Sequence, residues 1–339
     1  MDTKNKILQR CSLVLMLTGN RLFAQTRCQR IIRSLFRLWL AYIMIVFWYR
    51  TVRDSIKFKL QIGILAMNAF AIGLSVSNLY IMRKSKQLED LIIKLVKPID
   101  ESSLRRVSKM LTLLNAFYAF QLVLAAAVYN STREPPSRSV WGKIRLVEMS
   151  ARSISAYWTL ASSLFYLIVE ELLFLYRMQV LRTLRSHLKR TSVHSSVVNS
   201  AVESIRASVN QFEDSLSLLP LLWFAVDVVS SAVLAVNIGE GEAMLMVYSV
   251  IDYVPPAIVV LCVSNHYAKF QNFVTETCET VTNNISIPDS QQLVILWQLH
   301  SLRDLKMTGY SFFTIDLPFL ASYVASVFTF GALIMSMVK

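Results

Sequence analysis

Charged side chains are scarce in this chain. Asp, Glu, Lys and Arg make up 17% of its 339 residues, while apolar residues make up 54%. Soluble domains carry nearer a quarter charged residues. The length would allow two soluble domains, but the composition argues instead for an integral membrane protein. Glycine is scarce too, at 8 residues, and no phosphate-cradling loop occurs. The four cysteines, Cys11, Cys28, Cys262 and Cys278, fall at positions read below as cytosolic or at a cytosolic helix end. A reducing compartment leaves them free, and no external pair exists to bridge. Cys11 and Cys28 do not form a metal knuckle, and His187, His194, His266 and His300 lack ligand spacing. No catalytic residue, metal site or cofactor is therefore expected, and the chain is read as not being an enzyme.

Basic residues exceed acidic ones, 35 to 22, for a net charge of +13. No basic stretch alternates with exposed aromatics on a polar background, so nucleic acid is excluded as a partner. Six low-charge runs approach the roughly 20 residues that cross a bilayer: residues 60–82, 110–132, 153–175, 215–239, 243–266 and 310–338. A seventh span, 34–50, rests on "LWLAYIMIVFWY" between Arg37 and Arg50, only about 18 Å of helix. It reaches across if both arginines snorkel outward, and Trp39, Tyr42, Trp48 and Tyr49 suit interface anchoring. The N-terminus has a basic start, but its apolar core, Ser12 to Leu17, is short for a signal peptide. Residues 1–33 are read as an uncleaved cytosolic segment and 267–306 as a cytosolic loop with anchor helices.

With the N-terminus inside, cytosolic segments hold 25 basic residues and external ones 10, the bias expected of a multi-pass protein. The sequon at Asn130 then falls at the start of an external loop, as a candidate glycosylation site, and the one at Asn284 falls inside, where it stays bare. The expected fold is all-α: one polytopic domain of seven transmembrane helices, N-terminus cytosolic, C-terminus external, with helices extending into the cytosol. Two extensions show apolar residues at helical spacing, Leu88, Leu91, Ile92 and Leu95, then Met178, Leu181, Leu184 and Leu188. Either they extend the spans or they lie on the lipid surface.

Ionisable residues within spans are costly and turn toward protein or water. Asp227 and Asp252 lie at similar distances from Gly239 on neighbouring antiparallel spans, which places them at similar depth. They either bind a polar ligand in an outward-open cavity or join helices through hydrogen bonds. Aromatic residues cluster on the same spans and their neighbours, among them Tyr118, Trp158, Trp223, Tyr248 and Tyr253; pocket wall and bundle filler are both open readings. On the last span Thr329, Leu333 and Ser336 share one face, while Ala321, Ala325 and Thr329 recur every four residues, spacing that allows close helix approach.

The stretch "TGYSFFTIDLPFL", with Phe312, Phe313, Ile315 and Asp316, resembles the Gly-aromatic-Phe-x-Ile-Asp sequence that opens the last helix of insect gustatory receptors, relatives of insect odorant receptors. Thirteen residues after Asp316 comes "TFGALIMSM". The family signature there is Thr-Tyr, five apolar residues, Gln-Phe. Thr329 matches, Phe330 replaces Tyr, and Ser336 and Met337 stand for Gln-Phe. The resemblance implies a tastant-gated, nonselective cation channel in the plasma membrane of gustatory neurons, a homo- or heterotetramer with its last helices round a central pore. Its ligand pocket would lie among the first six spans. Ser336 would face the pore near the external mouth and Leu333 would form an apolar constriction. Departure from Gln-Phe also admits a non-conducting or co-receptor subunit. A G-protein-coupled receptor is opposed by the charge bias and by the absence of its motifs, and a secondary transporter by the lack of visible repeats.

Overall fold

The computed structural model describes residues 62–109, 140–190, 194–225, 243–284 and 287–338, with isolated positions between 7 and 49 and between 112 and 123. The described backbone is helical apart from turns and one isolated bridge. Helix α1 runs Ile62–Val96, α2 Val140–Arg190, α3 Ser195–Leu216, α4 Ala243–Thr282, α5 Asp289–His300 and α6 Leu317–Val338. A further helix covers residues 101–109, another 218–225, and a single 3-10 turn Ser301–Asp304.

The boundaries follow from local chemistry. Helix α1 stops before Pro98, which has no N–H and disfavours helix at the residue before it. Asp100 opens the helix over 101–109: its carboxylate accepts the Ser103 amide at 2.9 Å and its carbonyl the Leu104 amide at 3.1 Å, the N-cap arrangement. These bonds and the Ser102 hydroxyl hold the Asp100 carboxyl well below the usual carboxylate range. Helix α5 follows Pro288, whose carbonyl accepts the Gln291 and Gln292 amides.

Helices α1, α2 and α4, at 35, 51 and 40 residues, are about 50 to 75 Å long. They outrun the roughly 30 Å hydrocarbon core of a bilayer, so the expected spans continue as helix well beyond it. The continuation buries the predicted faces: Leu88, Leu91, Ile92 and Leu95 are fully buried, as are Leu181 and Leu188. These faces thus pack on protein rather than lie on a lipid surface. Helix α3 supplies much of the opposing surface. Val198, Val202, Ile205, Val209, Phe212 and Leu216 alternate steps of four and three and are buried, one stripe along the helix. It packs on α1, α2 and α5, while α2 and α4 form the most extensive pair. Pro255 and Pro256 lie within the continuous helix α4.

Helix α6 begins at Leu317, some seven residues later than the 310–338 reading, because the preceding residues form a capped turn. No helix has a stretch long and apolar enough to cross a membrane among the residues described. In α6, which has no Asp, Glu, Lys or Arg, the described side chains are interrupted at 327, 330–331 and 334–338. The other expected spans are interrupted likewise or, as over most of 110–132 and at 226–239, lie outside the description.

Candidate functional site

Three faces of α6 separate by register, at about 100° per residue. Tyr323 is buried and Phe319 and Leu320 are half-buried on the face toward the chain. Leu317, Ala321, Val324 and Phe328 are exposed on a second, apolar face. Ser322, Ser326, Thr329 and Leu333 are exposed on a third, and Ser336 shares that register. The Ser326 and Thr329 hydroxyls donate back to the Ser322 and Ala325 carbonyls, each at 2.8 Å, which leaves oxygen lone pairs outward. The sequence reading had the upper part of this stripe. Ser322 and Ser326 extend it by two turns, and their spacing of four and three to Thr329 was the available signal.

The foot of α6 is a turn. Thr308 and Thr314 form an antiparallel bridge. The Gly309 amide donates to the Phe313 carbonyl at 2.9 Å, the Phe312 amide to the Gly309 carbonyl at 3.0 Å and the Ile315 amide to the Met307 carbonyl at 2.9 Å. Tyr310 and Ser311, in the three-residue loop between Gly309 and Phe313, occupy the left-handed region, with φ of 52° and 62°. For side chains other than glycine this conformation costs about 1–2 kcal/mol per residue. Gly309 serves close approach: a Cβ there would lie 2.2 Å from Phe313 Cζ. Asp316 then caps α6, its carboxylate accepting the Phe319 amide at 2.9 Å.

An aromatic seat holds the helix above that turn. Phe313 stacks on Phe319 with ring centroids 4.1 Å apart, and Phe224 meets Phe313, Phe319 and Tyr323 edge-on at 5.4, 4.7 and 4.7 Å. Of the motif residues, Phe313 and Ile315 thus pack inward and Asp316 caps, while Phe312 is exposed. Phe330 and Met337 lie on α6 with side chains outside the description.

The chain reaches this turn along a pinned path. Arg303 donates to Thr275 at 2.8 Å, and its carbonyl accepts from Tyr267 and Gln271 of α4 at 2.7 and 2.9 Å. From the other side Glu213, near the end of α3, accepts both the Thr308 amide, at 2.9 Å, and the Thr308 hydroxyl. Burial pushes the Glu213 carboxyl up to about 7, against the Thr308 hydrogen bonds that lower it.

A second polar cluster joins α2 to α4. His266 Nδ1 lies 2.7 Å from Glu170 and Nε2 3.0 Å from Glu171, and the ring stacks on Phe174 at 4.3 Å. Arg177, 2% exposed, lies 4.0 Å from Glu170 and over the Phe270 ring. The donor atoms of Glu170, Glu171 and His266 lie within 4.8 Å of one another, close enough to consider a metal. Each ring nitrogen, however, faces a different carboxylate, the geometry of an imidazolium between two anions; an ion could use only one of them. The sequence reading missed this cluster, since Glu170 and His266 are 96 residues apart. The available signal was that both close spans running toward the same membrane face.

The residues read as ligand contacts separate. Trp223 is a core residue, 1% exposed, whose indole N–H donates to the Ser162 hydroxyl at 3.0 Å and whose ring meets Tyr166 edge-on. Trp158 lies on α2, and Tyr248, Asp252 and Tyr253 lie on α4, with side chains outside the description. Asp227, Tyr118 and Asn130 lie outside the described residues altogether. Clefts among the described residues, one lined by Arg185, Lys189, Glu276 and Asn284 and another by Pro98, Thr183 and His187, use none of these positions. Asn284, the sequon residue expected to stay bare, donates its side-chain amide to the Leu188 carbonyl.

Neither a protein-family model nor a curated protein matches the sequence. Solved structures do match. The insect olfactory receptor OR5 from Machilis hrabei superposes with a TM-score of 0.75 at 11% identity, covering 98% of each chain. The same receptor in complex with eugenol gives 0.69 at 12% identity, again over 98% of each chain. At such identity the likeness is one of fold. The chain has the all-α, seven-helix membrane fold of that receptor, matched over 98% of its length.

Proposed function

We propose that the chain is a subunit of an insect chemoreceptor, a ligand-gated, nonselective cation channel of the plasma membrane in which four last helices surround one pore. The observation that carries this reading is the likeness in fold to an insect olfactory receptor over 98% of both chains. The three-faced α6 supports the pore. One face seats on the chain, an apolar face suits lipid or a neighbouring subunit, and a hydroxyl-bearing face is left for water and ions. Leu333 on that face forms an apolar constriction that closes by dewetting, and Ser336 lies near the external mouth.

Within that class we read a gustatory receptor of taste neurons, on the resemblance of "TGYSFFTIDLPFL". Its ligand is a small-molecule tastant bound among the first six helices, with Asp227 and Asp252 as polar contacts; that a related fold is seen in complex with eugenol supports the ligand class. The subunit is not an enzyme. Its N-terminus is cytosolic and its C-terminus external. Ser336 and Met337 in place of Gln-Phe favour assembly as a heterotetramer with a related subunit over conduction alone.

The test is current recording in cells expressing the protein alone and with candidate co-receptors, against a panel of tastants, with both termini tagged. Tastant-evoked cation current and a C-terminal tag reachable on intact cells are expected. An external N-terminus with an internal C-terminus would overturn the channel reading in favour of a G-protein-coupled receptor.

A further inference from the structure

The turn that delivers the chain into α6 is wound against its residues' preference and is held from the side by one acid. Tyr310 and Ser311 both have positive φ, where non-glycine residues are uncommon. The bonds between Gly309 and Phe313 and between Met307 and Ile315 close the turn from within. From outside, Glu213 takes both the amide and the hydroxyl of Thr308, 95 residues away, and that hydroxyl oxygen accepts the Ser311 amide at 3.2 Å. A single carboxyl therefore reaches, through one threonine, the backbone of a left-handed residue.

The surroundings of that carboxyl are poor in compensating charge. Tyr166 and Arg177 face it from α2, Tyr80 from α1, Asp214 from its own helix and Thr308 from the turn. Arg177 is the cation among them, and it lies 4.0 Å from Glu170. A neutral acid satisfies the same atoms: one oxygen accepts the Thr308 amide and the other donates to the Thr308 hydroxyl oxygen, which still accepts from Ser311. An ionised acid keeps both bonds but buries a charge.

We propose that Glu213 is a positioning residue that latches the turn beneath α6 when it is protonated and releases it when ionisation draws the carboxyl toward water. The inference rests on the reading of α6 as the pore helix, since the latch then sets the seat of that helix from the cytosolic side. The sign follows from linkage. The docked carboxyl holds its proton to about pH 7, against an ordinary value of 4.5. The docked state therefore gains on acidification and weakens as pH rises through that window. Between pH 6 and pH 8 these values make the docked population ratio fall about tenfold.

Hydrogen exchange of residues 308–315 in the purified full-length protein reads the latch without requiring conduction. Protection, corrected for intrinsic exchange, should fall about tenfold from pH 6 to pH 8. Glu213→Gln presents an acceptor and a donor in the places of the neutral acid, so it should keep the pH 6 protection at both pH values. Thr308→Ser should behave as the unaltered protein, while Thr308→Val should lose protection throughout. Flat protection in the unaltered protein, or loss of protection at pH 6 in Glu213→Gln, would overturn the latch. Current recorded over the same cytosolic range should depend on pH and lose that dependence in Glu213→Gln; equal dependence in both would overturn the coupling to α6. A protein that never conducts, alone or with a partner, counts against the channel reading and leaves the exchange result to decide the latch.

Discussion

Removing Glu170 should damage the protein through the charge it leaves behind, and a second substitution should repair it. Glu170 is 1% exposed, with one carboxylate oxygen 2.7 Å from His266 Nδ1 and the other 4.0 Å from Arg177. With Glu171, His266 and Arg177 it makes a group of two anions and two cations. In Glu170→Met, His266 keeps Glu171 at 3.0 Å, but Arg177 stays 2% exposed with no carboxylate within salt-bridge reach among the described residues. At an effective dielectric of 20 the lost attractions are of order 4 kcal/mol at 4.0 Å and 6 kcal/mol at 2.7 Å, offset by the desolvation that the acid no longer suffers. Breaking one side of a buried ion pair costs about 3–5 kcal/mol net, and Glu170→Met should fall in that range. Adding Arg177→Met removes the orphaned cation while keeping an apolar chain against Phe270, so the double variant should regain most of the loss. Thermal denaturation of the detergent-solubilised protein, followed by fluorescence size-exclusion, ranks Glu170→Met, the single variant Arg177→Met and the double variant. A double variant as unstable as the two losses added together would refute the account of the cluster as a balanced set of charges.

Gly309→Ala should displace Phe313, because the new Cβ would fall 2.2 Å from its ring; loss of the stack on Phe319 should appear as faster exchange at the start of α6. Asp316→Ala removes the cap on the Phe319 amide and should cost about 0.5–2 kcal/mol, read as a lower melting temperature, with Asp316→Asn largely restoring it. Ser322→Cys and Ser326→Cys, on the exposed hydroxyl stripe, should react with a water-soluble thiol reagent applied from the cytosol and lose current, whereas Val324→Cys on the apolar face should not; reaction at all three would deny the division of faces. Ser336→Lys should suppress cation flow, since charges about 4 Å apart repel by roughly 4 kcal/mol per pair at an effective dielectric of 20, and unchanged conductance would remove α6 from the pore.

What the sequence alone determined was the class of molecule and the faces of its helices. Composition and charge placement argued for a multi-pass helical protein because lipid demands long uncharged runs and leaves Lys and Arg at the cytosolic side. The spacing of Leu88, Leu91, Ile92 and Leu95 announced a buried stripe, and that of Thr329, Leu333 and Ser336 a shared face, since a helix converts local period directly into direction. The tertiary structure decided what that period cannot carry. Where α6 starts depends on a turn through Tyr310 and Ser311, residues without a preference for the left-handed region they occupy, kept in place by the approach of Phe313 to Gly309 and by Glu213 from 95 residues away. Trp223 reads as bundle filler before pocket wall, and only the closing of Ser162 and Tyr166 round it decides between them. Glu170 and His266 read as two separate helix ends until α2 packs on α4 and brings them to 2.7 Å. In each case the deciding partner is distant along the chain, and only packing between helices fixes which distant pairs meet.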